Sequence, residues 1–307
     1  MKNTNRSKAI LTDVSLFYAT AVWGSTFFVV KDSLANISPI LLVGYRFFIA
    51  ALVLLALPVM WKKKPLANWP QGVLMGVVLW CLYTSQTVGL VTTTASKSGF
   101  ITGLFVFFVP LIMFIFFRKI PSLSDIFGVV ISLCGLWIMT GGLRDVNSGD
   151  LYTLVCAVVC AVNILMSDHY MKMGLDPYVM NFQQFMTAGI IGLVASHFMG
   201  INLVPPSMNS FWYIGFLVIF PSVSAYTVQM YAQRTVPPIK VSLIFALEPV
   251  FAAAFAWTVG GETCTTMSLI GGILIFAGIL ISQSGLFSKN EMTQNECVSK
   301  RTCSSES

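Results

Sequence analysis

Leu82-Tyr83-Thr84-Ser85-Gln86 and Ala225-Tyr226-Thr227-Val228-Gln229 lie 143 residues apart, each inside a long apolar run. Moving outward, Lys97 and Lys240, Gly128 and Gly271, Gly135 and Gly278, and Gly142 and Gly285 keep the same displacement. The register slips once and recovers. Pro110 follows Lys97 by 13 residues, whereas Pro249 follows Lys240 by 9, and the difference is cancelled before the next glycine pair. Earlier in each half, Pro39 and Arg46 match Pro177 and Gln184, seven residues apart and followed by Phe in both copies. A constant offset at both ends of the match marks an internal duplication.

Composition says what solvent the two copies occupy. Of 307 residues, 56% are hydrophobic and 10% charged, and the mean hydropathy is +0.80. A chain with so few charges cannot cover itself with a hydrated surface, so lipid is its main solvent. A helix crossing about 30 Å of hydrocarbon needs about 20 residues. Ten apolar runs are candidates, the fifth and sixth the shortest, at 11–30, 39–60, 71–91, 98–117, 126–140, 151–166, 178–199, 211–231, 241–259 and 267–287. Five runs fall in each copy, and an odd number inverts the second relative to the first, the plan of many secondary transporters. The predicted fold is an all-α membrane protein with ten transmembrane helices in two inverted five-helix repeats, residues 1–145 and 146–287. A polar, disordered cytoplasmic tail at 288–307 follows.

Charge sets the orientation. With the N-terminus inside, fourteen of the 18 Lys and Arg fall in cytoplasmic segments and three outside, with Arg46 within a span. That bias places both termini in the cytoplasm. The net charge of +6 sits in short clusters between apolar runs, which excludes a nucleic-acid partner. Seven cysteines form no CxxC and no metal-ligand spacing, so neither cofactor nor metal is expected. The first apolar run continues past the length of a signal peptide and reads as a retained helix. An intramembrane enzyme would need paired aspartates, a Ser with a His, or a zinc motif, none of which is present. A channel would need a filter-like loop or a ring of like charges.

Trp23-Gly24-Ser25-Thr26-Phe27, Arg46-Phe47, the run from Thr93 through Ser96-Lys97-Ser98-Gly99-Phe100-Ile101-Thr102-Gly103 to Val109-Pro110, and Leu247-Glu248-Pro249-Val250-Phe251-Ala252 occur in that order. In these motifs the chain resembles the drug/metabolite transporter superfamily, specifically its EamA-type family of ten-helix permeases. The resemblance runs from the first span to the last and leaves out the tail. It implies a permease of the cell inner membrane, often an exporter of amino acids or related metabolites, with a central cavity between the halves. It does not fix the substrate. A polyspecific drug exporter or a nucleotide-sugar carrier would share the architecture, although a phosphate-bearing substrate should need more inward cations than Arg46, Lys97 and Lys240. Without a P-loop, energy comes from a gradient or from the substrate itself.

Glu248 is the one acid well inside a span. A charge at that depth costs about 2.5 to 3.5 kcal/mol on insertion scales, so the group must be protonated, paired or facing water. Two readings stand: a site coupling protons or binding a substrate amine, and a structural Glu at the helix break of Pro249. Pro110 and Pro249 each remove a backbone donor within a span, and matched breaks in two halves point to a midplane site or to static kinks. Lys97 and Lys240 are candidate symmetric gates attracting carboxylates, or lysines that snorkel to lipid phosphate. Arg46 suits bidentate capture of a substrate carboxylate, or interfacial anchoring. Tyr83 with Gln86 and Tyr226 with Gln229 share one helical face at i and i+3. With Trp23, Ser25 and Asn163 they are candidate cavity lining, or polar glue between helices. The glycine stripes serve close packing, within the chain or in a homodimer.

Overall fold

In a computed structural model the protein is described over residues 2–60, 63–139, 147–204, 208–261 and 265–284, and these contain helices and no strand. The first half supplies α1 (Lys2–Ser33), α2 (Pro39–Met60), α3 (Trp69–Thr92), α4 (Ala95–Thr102), α5 (Phe105–Phe117) and α6 (Leu123–Met139). The second supplies α7 (Ser148–Lys172), α8 (Pro177–Phe198), α9 (Met208–Leu217), a π-helical stretch (Val218–Ala225), α10 (Tyr226–Ala232), α11 (Pro238–Phe245), α12 (Glu248–Thr258) and α13 (Thr266–Ser284). Among the described residues, seven segments are long and apolar enough to cross a membrane: Leu11–Ser33, Pro39–Ala56, Trp69–Thr92, Ala95–Phe117, Ser148–Lys172, Met208–Ala232 and Pro238–Thr258. Leu123–Gly135 and Leu269–Gly278 are shorter apolar runs. The chain is a multi-pass membrane protein. Gly142, Gly285, Cys264, Cys297, Cys303 and the tail lie outside the described residues.

Local chemistry sets the helix ends. Asn147 accepts from the Asp150 backbone N–H at 3.1 Å while the Asp150 carboxylate accepts from that of Asn147 at 2.9 Å, a reciprocal cap. It starts α7 three residues ahead of the apolar run, so this helix is longer than the expected 151–166. Asp176 similarly accepts from the N–H groups of Tyr178 and Val179 ahead of α8.

The break expected at Pro110 is corrected, and the one expected at Pro249 lies two to three residues upstream of that proline. The first interruption falls at Gly103 and Leu104, while Pro110 is carried inside α5. The second falls at Ala246 and Leu247, and Pro249 sits in the first turn of α12, where a missing N–H is tolerated. Gly103 to Ala246 spans 143 residues, the displacement of the Tyr and Gln pairs. The breaks therefore keep the register that the prolines lose. Lacking an N–H, Pro249 cannot bond the Phe245 carbonyl, which ends α11.

Packing is dominated by contacts between the halves. The most extensive helix pairs are α6 with α13, α2 with α8, α3 with α7, α3 with α8 and α1 with α12. The glycine stripes meet each other: a Cβ at Gly135 would lie 2.6 Å from the Gly271 carbonyl oxygen, and one at Gly278 would lie 2.6 Å from that of Gly128. Gly99 and Gly103 pack α4 onto α12, where added Cβ atoms would fall 2.9 Å from Ala252 Cβ and 2.8 Å from the Pro249 ring.

Candidate functional site

Near the middle of the apolar stretch Leu11–Ser33 of α1, three helices of the first half face four of the second around a narrow cavity. Trp23 and Thr26 of α1, Leu82, Tyr83 and Gln86 of α3, and Thr102 of α4 line it from one side. Cys160, Asn163 and Ile164 of α7, Tyr226 and Gln229 of α10, Phe245 of α11 and Glu248 of α12 line it from the other. The two Tyr–Gln pairs thus converge on one space. The cavity is about 30 Å3, room for about two waters and too small for a metabolite. A substrate could enter only if helices move apart.

The aromatic wall is interlocked. The Trp23 ring stands edge-on to Tyr226 at 5.2 Å and to Phe245 at 4.9 Å, and Tyr83 lies 6.2 Å from Tyr226 between ring centroids. Trp23 Nε1 donates to the Pro221 carbonyl at 3.0 Å, tying α1 to the π-helical stretch. That stretch also holds Ser222, whose Oγ accepts from Arg46 Nε at 2.9 Å and donates to the Leu217 carbonyl. The extra residue per turn of a π-helix redirects side chains and often marks functional positions.

Arg46 is 2% exposed and lies one ring behind the cavity wall, its guanidinium carbon 4.4 Å above the Tyr83 centroid and 5.1 Å from that of Phe47. Among the described residues no carboxylate pairs with it, and its Nη2 has no hydrogen-bond partner. Cation–π contact with two rings stabilises this buried cation. Glu248 is 8% exposed and its carboxyl has no hydrogen bond or ion pair among the described residues. Asn163 Nδ2, also at the cavity, has no partner either. A buried cation without an anion, a bare carboxyl and an unsatisfied amide can together receive a ligand bearing groups of both signs.

Other candidates stand elsewhere. Ser25 donates to the Val22 carbonyl of its own helix at 2.7 Å and is absent from the lining. Lys97 pairs with Asp150 at 2.7 Å and Lys240 with Asp13 at 2.8 Å, both away from the cavity. Pro110 and Pro249 do not line the cavity, although Pro249 adjoins Glu248. Thr26, Thr102, Cys160 and Phe245 escaped the sequence reading. Phe245 and Thr102 could have been found, because each immediately precedes a helix break and the two are 143 residues apart.

Comparison with known proteins adds the family. The profile described as the EamA-like transporter family matches residues 10–141 and again 147–283. An uncharacterized transporter of Archaeoglobus fulgidus is 30% identical over 276 residues, covering 89% of this chain and 86% of that protein. The uncharacterized inner membrane transporter YedA of Escherichia coli is 27% identical over 281 residues, 87% and 89% of the two chains. A protein of Chlamydia muridarum named S-adenosylmethionine/S-adenosylhomocysteine transporter is 23% identical over 304 residues, 92% and 93% of the two. A solved crystal structure superposes with a TM-score of 0.74 at 18% identity, over 91% of this chain and 98% of that one, a likeness of fold.

Proposed function

The chain belongs to the EamA-like transporter family, and on that premise we propose that it is a ten-crossing secondary transporter exporting amino acids or related small metabolites by alternating access. It is a transporter and not an enzyme. In this reading α4 with α5, α9 with the π-helical stretch and α10, and α11 with α12 each form one crossing. The inverted repeats are residues 1–145 and 146–287. The protein lies in the inner membrane with both termini in the cytoplasm, in keeping with the positive-inside bias.

One observation carries the reading: repeat-related Tyr83–Gln86 and Tyr226–Gln229 wall a single cavity from the two halves, with Glu248 beside it. Its contracted volume fits a closed stage between two open ones. An amino acid supplies the two charges that the site leaves uncompensated. Its carboxylate goes toward Arg46 once Tyr83 shifts, its ammonium toward Glu248, and its side chain against Trp23 and Phe245. Protons exchange at Glu248 when no ammonium occupies it.

The pairing of Lys97 and Lys240 with aspartates leaves Arg46 as the cation beside the site, which disfavours nucleotide sugars. The glycine stripes of α6 and α13 are used within the chain, so they lend no support to a homodimer. A second reading is S-adenosylmethionine, favoured by an aromatic wall suited to a sulfonium cation and by the name of the Chlamydia relative.

Flux of labelled amino acids and S-adenosylmethionine into proteoliposomes, with and without a pH gradient, tests the reading. Saturable flux of one amino-acid class that grows with the gradient is the expected result. Saturable flux only of S-adenosylmethionine would select the second reading, and silence across the panel would reject both.

A further inference from the structure

Two ion pairs flank the cavity at opposite ends of the molecule. Helix α1 runs unbroken past both, which gives a ruler. Asp13, near the start of its apolar stretch Leu11–Ser33, receives Lys240 Nζ at 2.8 Å. Lys31, in its last turn, donates to the carbonyls of Leu90 and Thr93 at 2.7 and 2.9 Å. Thr93 in turn donates through Oγ1 to Asp150 at 2.8 Å, and Asp150 pairs with Lys97. Eighteen residues separate Asp13 from Lys31, about 27 Å of helix and close to a hydrocarbon thickness. Trp23, on the cavity wall, lies between them, about 15 Å from Asp13 along the axis.

The pairs are also equivalent in connectivity. Lys97 and Lys240 are repeat mates, each in the first turn of a helix that ends at a break. Each reaches across to the opening helix of the other half, α7 from α4 and α1 from α11. On the Lys97 side a polar seam continues inward to the cavity: Ser98 Oγ lies 3.4 Å from Thr153 Oγ1, and Thr102 Oγ1 lies 3.9 Å from Cys156 Sγ, with Thr102 itself in the lining. Thr153 Oγ1 also donates to the Gly149 carbonyl of its own helix at 2.8 Å, and this row of hydroxyls between α4 and α7 offers water polar partners along the seam once the helices part.

We propose that Lys97–Asp150 and Lys240–Asp13 are the two gates of the transport path, one at each end of the cavity, and that the α4–α7 seam is the route behind the first. The proposal rests on the transporter reading above but not on its substrate. Both gates are shut in this structure, consistent with the contracted cavity. Opening one while the other holds makes the cavity face one side at a time. Asp150 also caps α7, so the lysines are the cleaner positions to change.

The test uses full-length protein in which Cys160, on the cavity wall, is the one remaining cysteine. A membrane-impermeant methanethiosulfonate is applied separately to each face, using intact cells and inverted vesicles. Lys97→Gln should speed labelling from one face about fivefold, the equivalent of a 1 kcal/mol ion pair, and leave the other face unchanged. Lys240→Gln should do the mirror image. Lys97→Arg, and the exchange Asp13→Lys with Lys240→Asp, should keep the parental protection and show that the variants fold. Equal change at both faces, or none, overturns the gates. Sided labelling with no flux of any panel compound would spare the gates and overturn the substrate reading.

Discussion

The guanidinium of Arg46 sits 4.4 Å above the ring of Tyr83, with Ser222 of the π-helical stretch as a hydrogen-bond partner and no carboxylate paired with it among the described residues. The matched position of the other half carries Gln184. Arg46→Gln copies that solution. Removing a buried charge that lacks a counterion should leave the melting temperature in detergent unchanged or raised. Losing a charge-assisted contact to a substrate carboxylate is worth about 1.5 to 3 kcal/mol, so KM for an amino acid should rise at least about tenfold. A lower melting temperature with unaltered KM would make Arg46 a structural anchor.

Glu248 lacks a hydrogen-bonding partner among the described residues, so Glu248→Gln should insert and fold normally. If its carboxyl exchanges protons, the variant loses the dependence of flux on an imposed pH gradient while still exchanging substrate across the membrane. Counterflow and gradient-driven uptake in the same vesicles separate these quantities. Unchanged gradient dependence would remove Glu248 from coupling.

The parts legible in the sequence were those written as periodicity. Apolar runs located the helices, and a constant displacement found Tyr83, Gln86, Tyr226 and Gln229 before any cavity was known. What stayed hidden depends on contacts between distant segments. Nothing near Lys97 points to Asp150, 53 residues on, and nothing near Lys240 points to Asp13 at the other end of the chain. Pro221 signals a kink within an apolar run, but the choice of a π-helix there depends on tertiary partners such as Trp23 and Arg46. Pro110 misled because proline marks where a helix can break, whereas Gly103 packing against Pro249 accompanies the break itself. Ser25 shows the limit of composition, since a hydroxyl in an apolar helix can be satisfied by its own backbone.

Gly135 on α6 and Gly272 on α13 make opposite predictions. Gly271 belongs to the seam with α6, where a Cβ on Gly135 would meet its carbonyl oxygen at 2.6 Å, and backbone cannot swing aside as a side chain can. Gly135→Ala should therefore force α6 from α13 and cost about 1 to 3 kcal/mol. At Gly272 the nearest atoms to an added Cβ are 3.8 Å away, so Gly272→Ala should be neutral or stabilise by up to about 1 kcal/mol through helix propensity. Melting of the two purified variants side by side checks the contrast, and equal behaviour would contradict it.

Trp23 joins the aromatic wall to the π-helical stretch, because its indole N–H reaches the Pro221 carbonyl while its ring faces Tyr226 and Phe245. Trp23→Phe keeps an aromatic ring but deletes the donor. A buried hydrogen bond of this kind contributes about 1 kcal/mol, so global stability should fall slightly. The larger consequence is local. Ser222 follows Pro221 and holds Arg46 Nε, so slackening this stretch frees the guanidinium that the substrate carboxylate is expected to meet. Amide exchange should accelerate at 218–226 and leave α6 and α13 unaffected, and transport affinity should fall in parallel with Arg46→Gln. If exchange rises evenly over the whole chain, Trp23 contributes general packing and the link from α1 to Arg46 through the π-helix is lost.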